Sequence, residues 1–356
     1  MPKSRCLAEW FSVVLLILCM AVAVSAQSKG IDPALLAKAK AGDAKAQYDI
    51  GTAYEGGFGV PQDVAKVAFW DRKAAELGYA KAQADLGTMY ELGSGVPQDY
   101  VEAVKWYRKA AEQGDFFAQN NLGRAYAAGH GIQQDYAQAA AWYRKAAEQG
   151  YAQAQINLGT AYNKGQGVQE DHTQAAMWYR KAAEQGWADA QYELALQLMS
   201  GWGVPQNIKE AMIQFQKAAE QGDVESEYML GSIYEEGGLG KVVHGPDGSS
   251  RVLLPAENAP VPRDYGLAAK WYRKAAEQDN ALAQNGLGRL YADGKGVPQE
   301  YVEAYFWLSL ASASGSHSST NGVGDRDLAA SHLTKTVLLE TQERARKWFE
   351  DHSPKK

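Results

Sequence analysis

Small and aromatic residues recur at fixed intervals along this chain and predict pairs of short helices. Ala154, Leu158 and Tyr162 are four residues apart, so they share one face of a first helix, and Gly159 lies beside them on that face. A glycine within an exposed helix costs about 1 kcal/mol relative to alanine. Its repetition in this slot therefore predicts that a neighbouring helix approaches closely. A second apolar set, in residues 103–111, follows after a loop and predicts a second helix that ends at a glycine.

The predicted pair of helices repeats with a period of 36 residues. Between the two helices, a loop of the form Gly-x-Gly-Val-Pro-Gln ends in an acidic residue, which suits the start of a helix because it can cap free backbone N–H groups. Each unit can bury its apolar face only against its neighbours, as in a solenoid. The phrase Trp-Tyr-Arg-Lys-Ala-Ala-Glu-Gln-Gly occupies 106–114, 142–150 and 178–186, and near-copies end at Gly78, Gly222 and Asp279.

These motifs together match a known type of repeat. The pattern Ala-x-x-x-Leu-Gly-x-x-Tyr, then Gly-x-Gly-Val-x-x-Asp, then Ala-x-x-Trp-Tyr-x-Lys-Ala-Ala-x-x-Gly resembles the Sel1-like repeat family of tetratricopeptide-like solenoids. The resemblance implies an all-α fold, a right-handed superhelical α/α solenoid of about seven helix-turn-helix repeats with a C-terminal helical cap. The expected boundaries are a capping segment at 27–41, repeats near 42–77, 78–113, 114–149, 150–185, 186–221, 222–278 and 279–315, and a helical cap and tail at 316–356.

The first 26 residues predict a secretory signal peptide. A basic start is followed by an apolar stretch from Trp10 to Val24 and then by small residues before Gln27. We therefore expect cleavage near Ala26/Gln27, a secreted or periplasmic protein, and no stable membrane span after cleavage. An uncleaved N-terminal anchor is the alternative. Both cysteines lie in this leader, so the mature chain would be held together by packing alone.

The composition argues against several classes of function. The 36 Lys and Arg residues are outnumbered by 42 Asp and Glu residues, and the only basic block is Lys355-Lys356, so nucleic acid is not an expected partner. No two of the six histidines are three or four residues apart, and no phosphate-binding or Gly-x-Ser-x-Gly motif occurs. We predict no enzyme, and no catalytic, cofactor-binding or metal-binding residues. The resemblance leaves one enzymatic alternative, a penicillin-interacting or weak β-lactamase-like hydrolase, although the family members linked to that activity have cysteine-rich repeats.

The repeats differ most at one set of first-helix positions, spaced i, i+3, i+7 and i+10, which form a second face away from the buried one. By resemblance to tetratricopeptide-like solenoids, this face lines a concave groove that binds other proteins or peptides. Large aromatic residues there favour recognition over casual exposure. A peptidoglycan or glycan partner is a third possibility, suggested by Trp187 and Trp202 in the fifth repeat. The predicted groove residues are Tyr48, Phe117, Asn120, Arg124, Tyr192, Leu196, Tyr228, Asn285 and Arg289.

The sixth repeat contains an insertion. From Gly222 to Asp279 there are 57 residues instead of 36, so 57 − 36 = 21 are extra, and they fall at 241–261. Two short apolar runs flank Pro246-Asp247-Gly248, which predicts a turn between two strands. Either this hairpin projects and contacts a partner, or it is a tolerated loop expansion folded back on the helices.

Overall fold

The computed structural model describes residues 30–237, 242–244, 250–252, 261–313 and 320–352. The predicted signal peptide at 1–26 lies outside the described residues, as do most of the insertion and part of the predicted tail. Within the described residues, every regular element is a helix except one two-stranded hairpin, so the predicted all-α class is confirmed. No described helix combines the length and apolar character needed to cross a membrane.

Seven helix pairs form the body of the described chain, and each of these fourteen helices is 13 residues long. The first helices are α2 (Ala44–Gly56), α4 (Ala80–Leu92), α6 (Phe116–Ala128), α8 (Ala152–Lys164), α10 (Ala188–Ser200), α12 (Val224–Glu236) and α14 (Ala281–Asp293). The second helices are α3 (Val64–Glu76), α5 (Tyr100–Glu112), α7 (Tyr136–Glu148), α9 (His172–Glu184), α11 (Ile208–Glu220), α13 (Tyr265–Glu277) and α15 (Tyr301–Ala313). Before and after them lie α1 (Pro33–Lys40), α16 (Thr320–Ser331) and α17 (Lys335–His352).

Contacts divide the helices into two units, with the division in sequence after Gln169. The first unit contains α1 to α8, and the second contains α9 to α17. Within each unit, helices that follow one another in sequence pack against one another, except that α16 and α17 both pack against α15. This is the arrangement expected of tandem repeats, in which each unit contacts only its neighbours.

The predicted loop chemistry determines where the helices begin and end. Asp99 precedes α5, and its side chain accepts hydrogen bonds from the backbone N–H groups of Val101 and Glu102 at 2.9 and 3.1 Å. Gly93 ends α4 with φ of 70°, a left-handed conformation that glycine adopts without steric cost. Five of the other six second helices are capped in the same way, by Asp63, Asp135, Asp171, Asn207 and Asp264.

The predicted close approach at the mid-helix glycines is confirmed, and the approaching group is the tyrosine of the repeated phrase. Tyr107 of α5 is almost fully buried and lies directly over Gly87 of α4. A Cβ atom on Gly87 would be 2.6 Å from the ring, and one on Gly123 would be 2.7 Å from the ring of Tyr143. Both distances are too short for carbon atoms in contact, so only glycine fits beneath these rings.

The tryptophan of the repeated phrase packs between consecutive repeats. Trp106 is half-buried and packs against the cluster formed by Ala74, Ala75, Ala82 and Leu86. Its exposed ring face carries the ammonium group of a lysine three residues later, 3.9 Å from the ring centroid. The phrase is therefore mainly a packing motif.

A ladder of glutamines joins the repeats, and the sequence pattern did not reveal it. The side chain of Gln83 in α4 is buried and donates to the backbone carbonyl of Ala75, 3.0 Å away. Ala75 belongs to the preceding repeat, and the side-chain oxygen of Gln83 in turn accepts from Gln113, at the end of the second helix of its own repeat, at 2.7 Å. Gln119 makes the same two contacts, with Ala111 and Gln149. Because buried polar groups are costly unless paired, this ladder specifies how consecutive repeats align.

The insertion contains the predicted hairpin. Strands β1 (Val242–His244) and β2 (Ser250–Val252) pair antiparallel, with Val242 opposite Val252. Val261, counted as part of the insertion in the sequence, is buried instead and belongs to the loop that leads into α13. The 21 extra residues therefore end before Val261.

Two helices cover the last repeat, as the predicted C-terminal cap requires. Trp348 of α17 packs edge-on against Phe306 and Trp307 of α15, at centroid distances of 5.9 and 5.7 Å. Ala329 of α16 and Ala345 of α17 complete this apolar cluster. The cap thus removes the apolar side of α15 from water.

Candidate functional site

Each of the two units has a first-helix face, defined here by the predicted groove residues that the unit contains. The face of the first unit contains Tyr48, Phe117, Asn120 and Arg124, and that of the second contains Tyr192, Leu196, Tyr228, Asn285 and Arg289. Both faces combine exposed cations with half-buried rings. Arg124 and Arg289 are exposed. Tyr48, Phe117, Tyr192, Leu196, Tyr228 and Asn285 are half-buried.

Asn120 lies inside the packing of the first unit. It is only 2% exposed, and its side-chain oxygen accepts a hydrogen bond from Asn157 at 2.9 Å. The sequence pattern placed Asn120 in the groove, and this was wrong. Spacing alone does not show which side chains a neighbouring helix covers. In the structure, Asn120 aligns two consecutive repeats.

Tyr48 is fixed in orientation by the next repeat. Its hydroxyl donates to a carboxylate oxygen of Asp85 at 2.9 Å, and its ring lies 5.1 Å from that of Tyr79. Burial, together with the negative charge of Asp85, raises the pKa of Tyr48 above its usual value. The hydroxyl therefore stays protonated and acts as a donor throughout the physiological pH range.

Arg124 is held by a bridge that involves three helices. The carboxylate of Glu91 in α4 accepts a hydrogen bond from the hydroxyl of Tyr107 at 2.6 Å and pairs with the guanidinium of Arg124 at 3.5 Å. Burial raises the pKa of Tyr107, so it too remains a donor. The bridge leaves the exposed part of the guanidinium at a defined place on the face.

The same bridge recurs in the second unit. Glu235 of α12 accepts from the hydroxyl of Tyr272 at 2.7 Å and forms an ion pair with Arg289. The ring of Tyr228 lies 6.0 Å from that of Tyr272, so the bridge also brings Tyr228 close to Arg289. Glu91 and Glu235 occupy the last position of the i, i+3, i+7, i+10 set but are not among the predicted groove residues, and the sequence reasoning missed the tyrosines that bond them. Alignment of the repeats position by position would have found them.

Ring contacts position the remaining aromatic residues. Phe117 meets Tyr151 edge-on at 6.5 Å in the first unit, and Tyr192 lies 5.9 Å from Phe215 in the second. Burial and the neighbouring acidic groups raise the pKa of Tyr192. Both rings keep a partly exposed surface, which is what an aromatic anchor for a peptide requires.

The two tryptophans proposed for glycan binding differ in their surroundings. Trp187 is 42% exposed. Trp202 is half-buried, and its ring stacks on His172 with centroids 5.0 Å apart. The rings of Tyr100 and His130 make the corresponding contact in an earlier repeat, tilted by 37° with centroids 4.9 Å apart. It is therefore a recurring contact between an inter-helix loop and the preceding second helix.

No candidate metal site is present within the part of the chain that the structure describes. There, no three His, Cys, Asp or Glu side chains are arranged to hold an ion.

Comparison with known protein families gives a match over most of the chain. The family model described as Sel1 repeat matches residues 44–79, 80–115, 117–151, 152–187, 188–223, 224–244, 258–280 and 281–316. The chain belongs to the Sel1 repeat family. Two of the eight matches, 224–244 and 258–280, are the halves of one Sel1 repeat on either side of the insertion, so the matches agree with seven repeats.

Solved structures include other Sel1 repeat proteins similar to this one. A Sel1 repeat protein from Oxalobacter formigenes is 34% identical, with a TM-score of 0.61 over 82% of this chain and 77% of that one. A protein described as a protective antigen of uropathogenic Escherichia coli strains, with an SLR fold, is 29% identical. Its TM-score is 0.50 over 90% of this chain and 87% of that one. A comparison with curated proteins gives no match.

Sel1 repeat proteins are generally scaffolds for protein interaction, and their solenoid fold is typically non-enzymatic. Membership of the family therefore directs attention to the first-helix faces as binding surfaces.

Proposed function

We propose that this Sel1 repeat protein is an exported scaffold that binds extended segments of partner proteins on the first-helix faces of its units. The observation that carries the proposal is the state of the rings on these faces. Phe117 and Tyr192 are neither fully buried nor free, since each is oriented by a second ring and keeps part of its surface exposed. Such preoriented aromatic groups lose little conformational entropy on binding.

The exposed arginines add polar recognition to these apolar anchors. Arg124 and Arg289 are each tied to a glutamate, and each guanidinium has further donors that a partner's carbonyl or carboxylate groups can accept. A peptide with apolar and acidic residues is the partner chemistry that fits these faces.

Export is the second part of the proposal, and the predicted leader at 1–26 supports it. The similarity to a protective antigen of uropathogenic E. coli is consistent with a place in the cell envelope or in contact with a host. When the chain is expressed in a bacterial host, it should be recovered from the periplasm with a sequence that begins at Gln27. Recovery from the cytoplasm alone, with an intact leader, would contradict export.

Selection of short peptides from a displayed library on the wild-type chain tests the binding function. We expect the selected peptides to bind Phe117→Ala or Tyr192→Ala about tenfold or more weakly, because an aromatic anchor commonly contributes at least about 1.4 kcal/mol. Tyr228 is a poorer choice for substitution because it packs against a buried cluster.

The matched control is Ile213→Ala, which removes an equally apolar and well-exposed side chain from the second helix α11. Its affinity for the selected peptides should equal that of the wild type. Equal losses in all three variants, or a failure to select any peptide, would count against the first-helix faces as the binding surfaces. Thermal unfolding of each variant shows whether a loss of binding merely follows a loss of stability.

A further inference from the structure

One second helix departs from the others at the position that faces the mid-helix glycine. Six of the seven second helices have a large apolar or aromatic residue there, and the first has an aspartate, Asp71. The six large residues are Tyr107, Tyr143, Tyr179, Phe215, Tyr272 and Leu308.

Asp71 takes the place of the ring without filling its space. Gly51 is retained beneath it, and a Cβ atom there would be 2.4 Å from the Oδ1 atom of Asp71. An aspartate is much smaller than a tyrosine, and a cavity of about 360 Å³ adjoins it between the first two repeats. The corresponding cavities one and two repeats further along, beside Tyr107 and Tyr143, measure about 90 and 100 Å³.

The enlarged cavity is acidic at one side. Asp71 is only 3% exposed, and its Oδ1 atom has no hydrogen-bond partner among the described residues. Asp85, which accepts the hydroxyl of Tyr48, and Glu55 also line the cavity. None of the described residues that line it is a lysine, arginine or histidine. A buried carboxylate without a partner is costly, so this wall is suited to a cation.

The next cavity shows which cation fits this position. There, the guanidinium of Arg124 pairs with Glu91 beside Tyr107. The residue one repeat before Glu91 is Glu55, and the residue one repeat before Arg124 is Thr88. The first cavity thus retains the acidic residue and lacks the arginine.

We propose that the cavity between the first two repeats is a pocket for an arginine side chain of a bound peptide. The guanidinium pairs with the acidic wall that Asp71, Asp85 and Glu55 form. The aliphatic stem lies against the apolar wall that Val67, Met89 and Leu92 form. The inference rests on the proposed function, since it assigns a side-chain specificity to the first unit of the same scaffold.

Protonation of the acidic wall competes with the arriving cation, which makes the binding depend on pH. Burial, with the repulsion of Asp85 and Glu55, raises the pKa of Asp71 to about 8. Burial also raises the pKa of Asp85, although its hydrogen bond from Tyr48 and the charge of Lys81 oppose the shift. An arriving cation would lower the pKa of Asp71 again. Binding should therefore release a proton near neutral pH and tighten as the pH rises toward 8.

Titration of the full chain with N-acetyl-arginine-N-methylamide, followed by NMR or calorimetry, tests the proposal. The matched neutral compound is the citrulline analogue, which has nearly the same shape and no charge. We expect saturable binding of the arginine compound, with the citrulline compound at least about tenfold weaker because it cannot pair with a buried carboxylate. Equal binding of the two compounds, or binding of neither, would overturn the proposal.

Two variants locate the binding at Asp71. Asp71→Tyr restores the residue of the other repeats and should fill the cavity, and Asp71→Asn keeps its size while removing the charge. Each should weaken arginine binding at least about tenfold. Glu76→Gln, which removes one exposed charge from the same helix, should leave it unchanged. Wild-type affinity in Asp71→Asn, or in a folded Asp71→Tyr, would contradict the pocket.

The tests of the arginine pocket and of the proposed peptide-binding function can fail independently of each other. If library peptides bind through Phe117 and Tyr192 while the arginine compound does not bind, the scaffold stands and the pocket is wrong. If the arginine compound binds through Asp71 while no peptide is selected, the pocket stands as a small-cation site, and the peptide-binding function fails.

Discussion

Gly87 and Tyr107 determine, at the scale of single residues, how close two helices of a repeat can come. Alanine at position 87 would gain about 1 kcal/mol of helix propensity, yet its Cβ would lie 2.6 Å from the tyrosine ring. Moving the ring would disturb its hydrogen bonds to Glu91 and Thr88. Overpacking of this kind typically costs about 1–3 kcal/mol. We therefore expect Gly87→Ala to unfold at a lower urea concentration than the wild type, measured by circular dichroism.

Gly51→Ala is the matched control, because the group above Gly51 is the end of an aspartate side chain beside a cavity. The carboxylate can turn away, so the helix propensity of alanine should leave this variant as stable as the wild type or up to about 1 kcal/mol more stable. If Gly51→Ala lost as much stability as Gly87→Ala, a clash with the tyrosine ring could not explain the loss of stability in Gly87→Ala.

Residue-level prediction from the sequence succeeded where periodicity determines the environment. The spacing placed Gly87 under a close neighbour, because every repeat has a small residue there. It did not distinguish Asn120, which a neighbouring repeat buries, from Arg124, which stays exposed. Asp71 was overlooked because its significance depends on the size of the ring it replaces, which is a property of packing.

The insertion is the element whose contribution to stability and to peptide binding can be tested most directly. Replacing residues 238–260 by Ser-Gly gives Gly-Ser-Gly-Val-Pro, which is the loop that the second repeat has at Gly93–Pro97. Shortening a loop lowers its closure entropy cost, by about 1 kcal/mol for this change in length. We expect thermal unfolding at the same or a slightly higher temperature, with unchanged helix content.

A second variant, in which Val261 is removed as well, is the control for this element. Since Val261 is buried, its loss should lower the unfolding temperature. A marked destabilisation by the first variant would show that the hairpin supports the helices. The first variant also tests whether the hairpin takes part in binding. If the hairpin contacts the peptides selected on the wild-type chain, those peptides should bind the first variant more weakly than the wild type.

The elements themselves were predictable because their signals are local. Glycine and capping aspartate mark the ends of the helices, and a turn sequence between two apolar runs marks the hairpin. The glutamine ladder could not be predicted in the same way. The hydrogen bond from Gln113 to Gln83 joins residues 30 positions apart, and a single glutamine side chain gives no indication of its partner.

At the scale of the whole molecule, the terminal helices close the apolar end of the last repeat. A chain that ends after Ala313 would lack α16 and α17 and would expose Phe306, Trp307 and the rest of the cluster that Trp348 covers. Burial of each large side chain contributes about 1.5–3 kcal/mol. Since a repeat is stabilised by its neighbours, the loss should be greatest in α15 and decrease toward earlier helices.

Hydrogen exchange measured by mass spectrometry resolves this gradient. In the truncated chain, we expect amides of α14 and α15 to exchange much faster than in the wild type, whereas those of α2 to α5 keep their protection because none of their contacts has changed. A chain ending at His352 is the control and should match the wild type. Loss of protection spread evenly over all helices would mean that the chain unfolds as one cooperative body, and unchanged protection in α15 would mean that the cap does not support the last repeat.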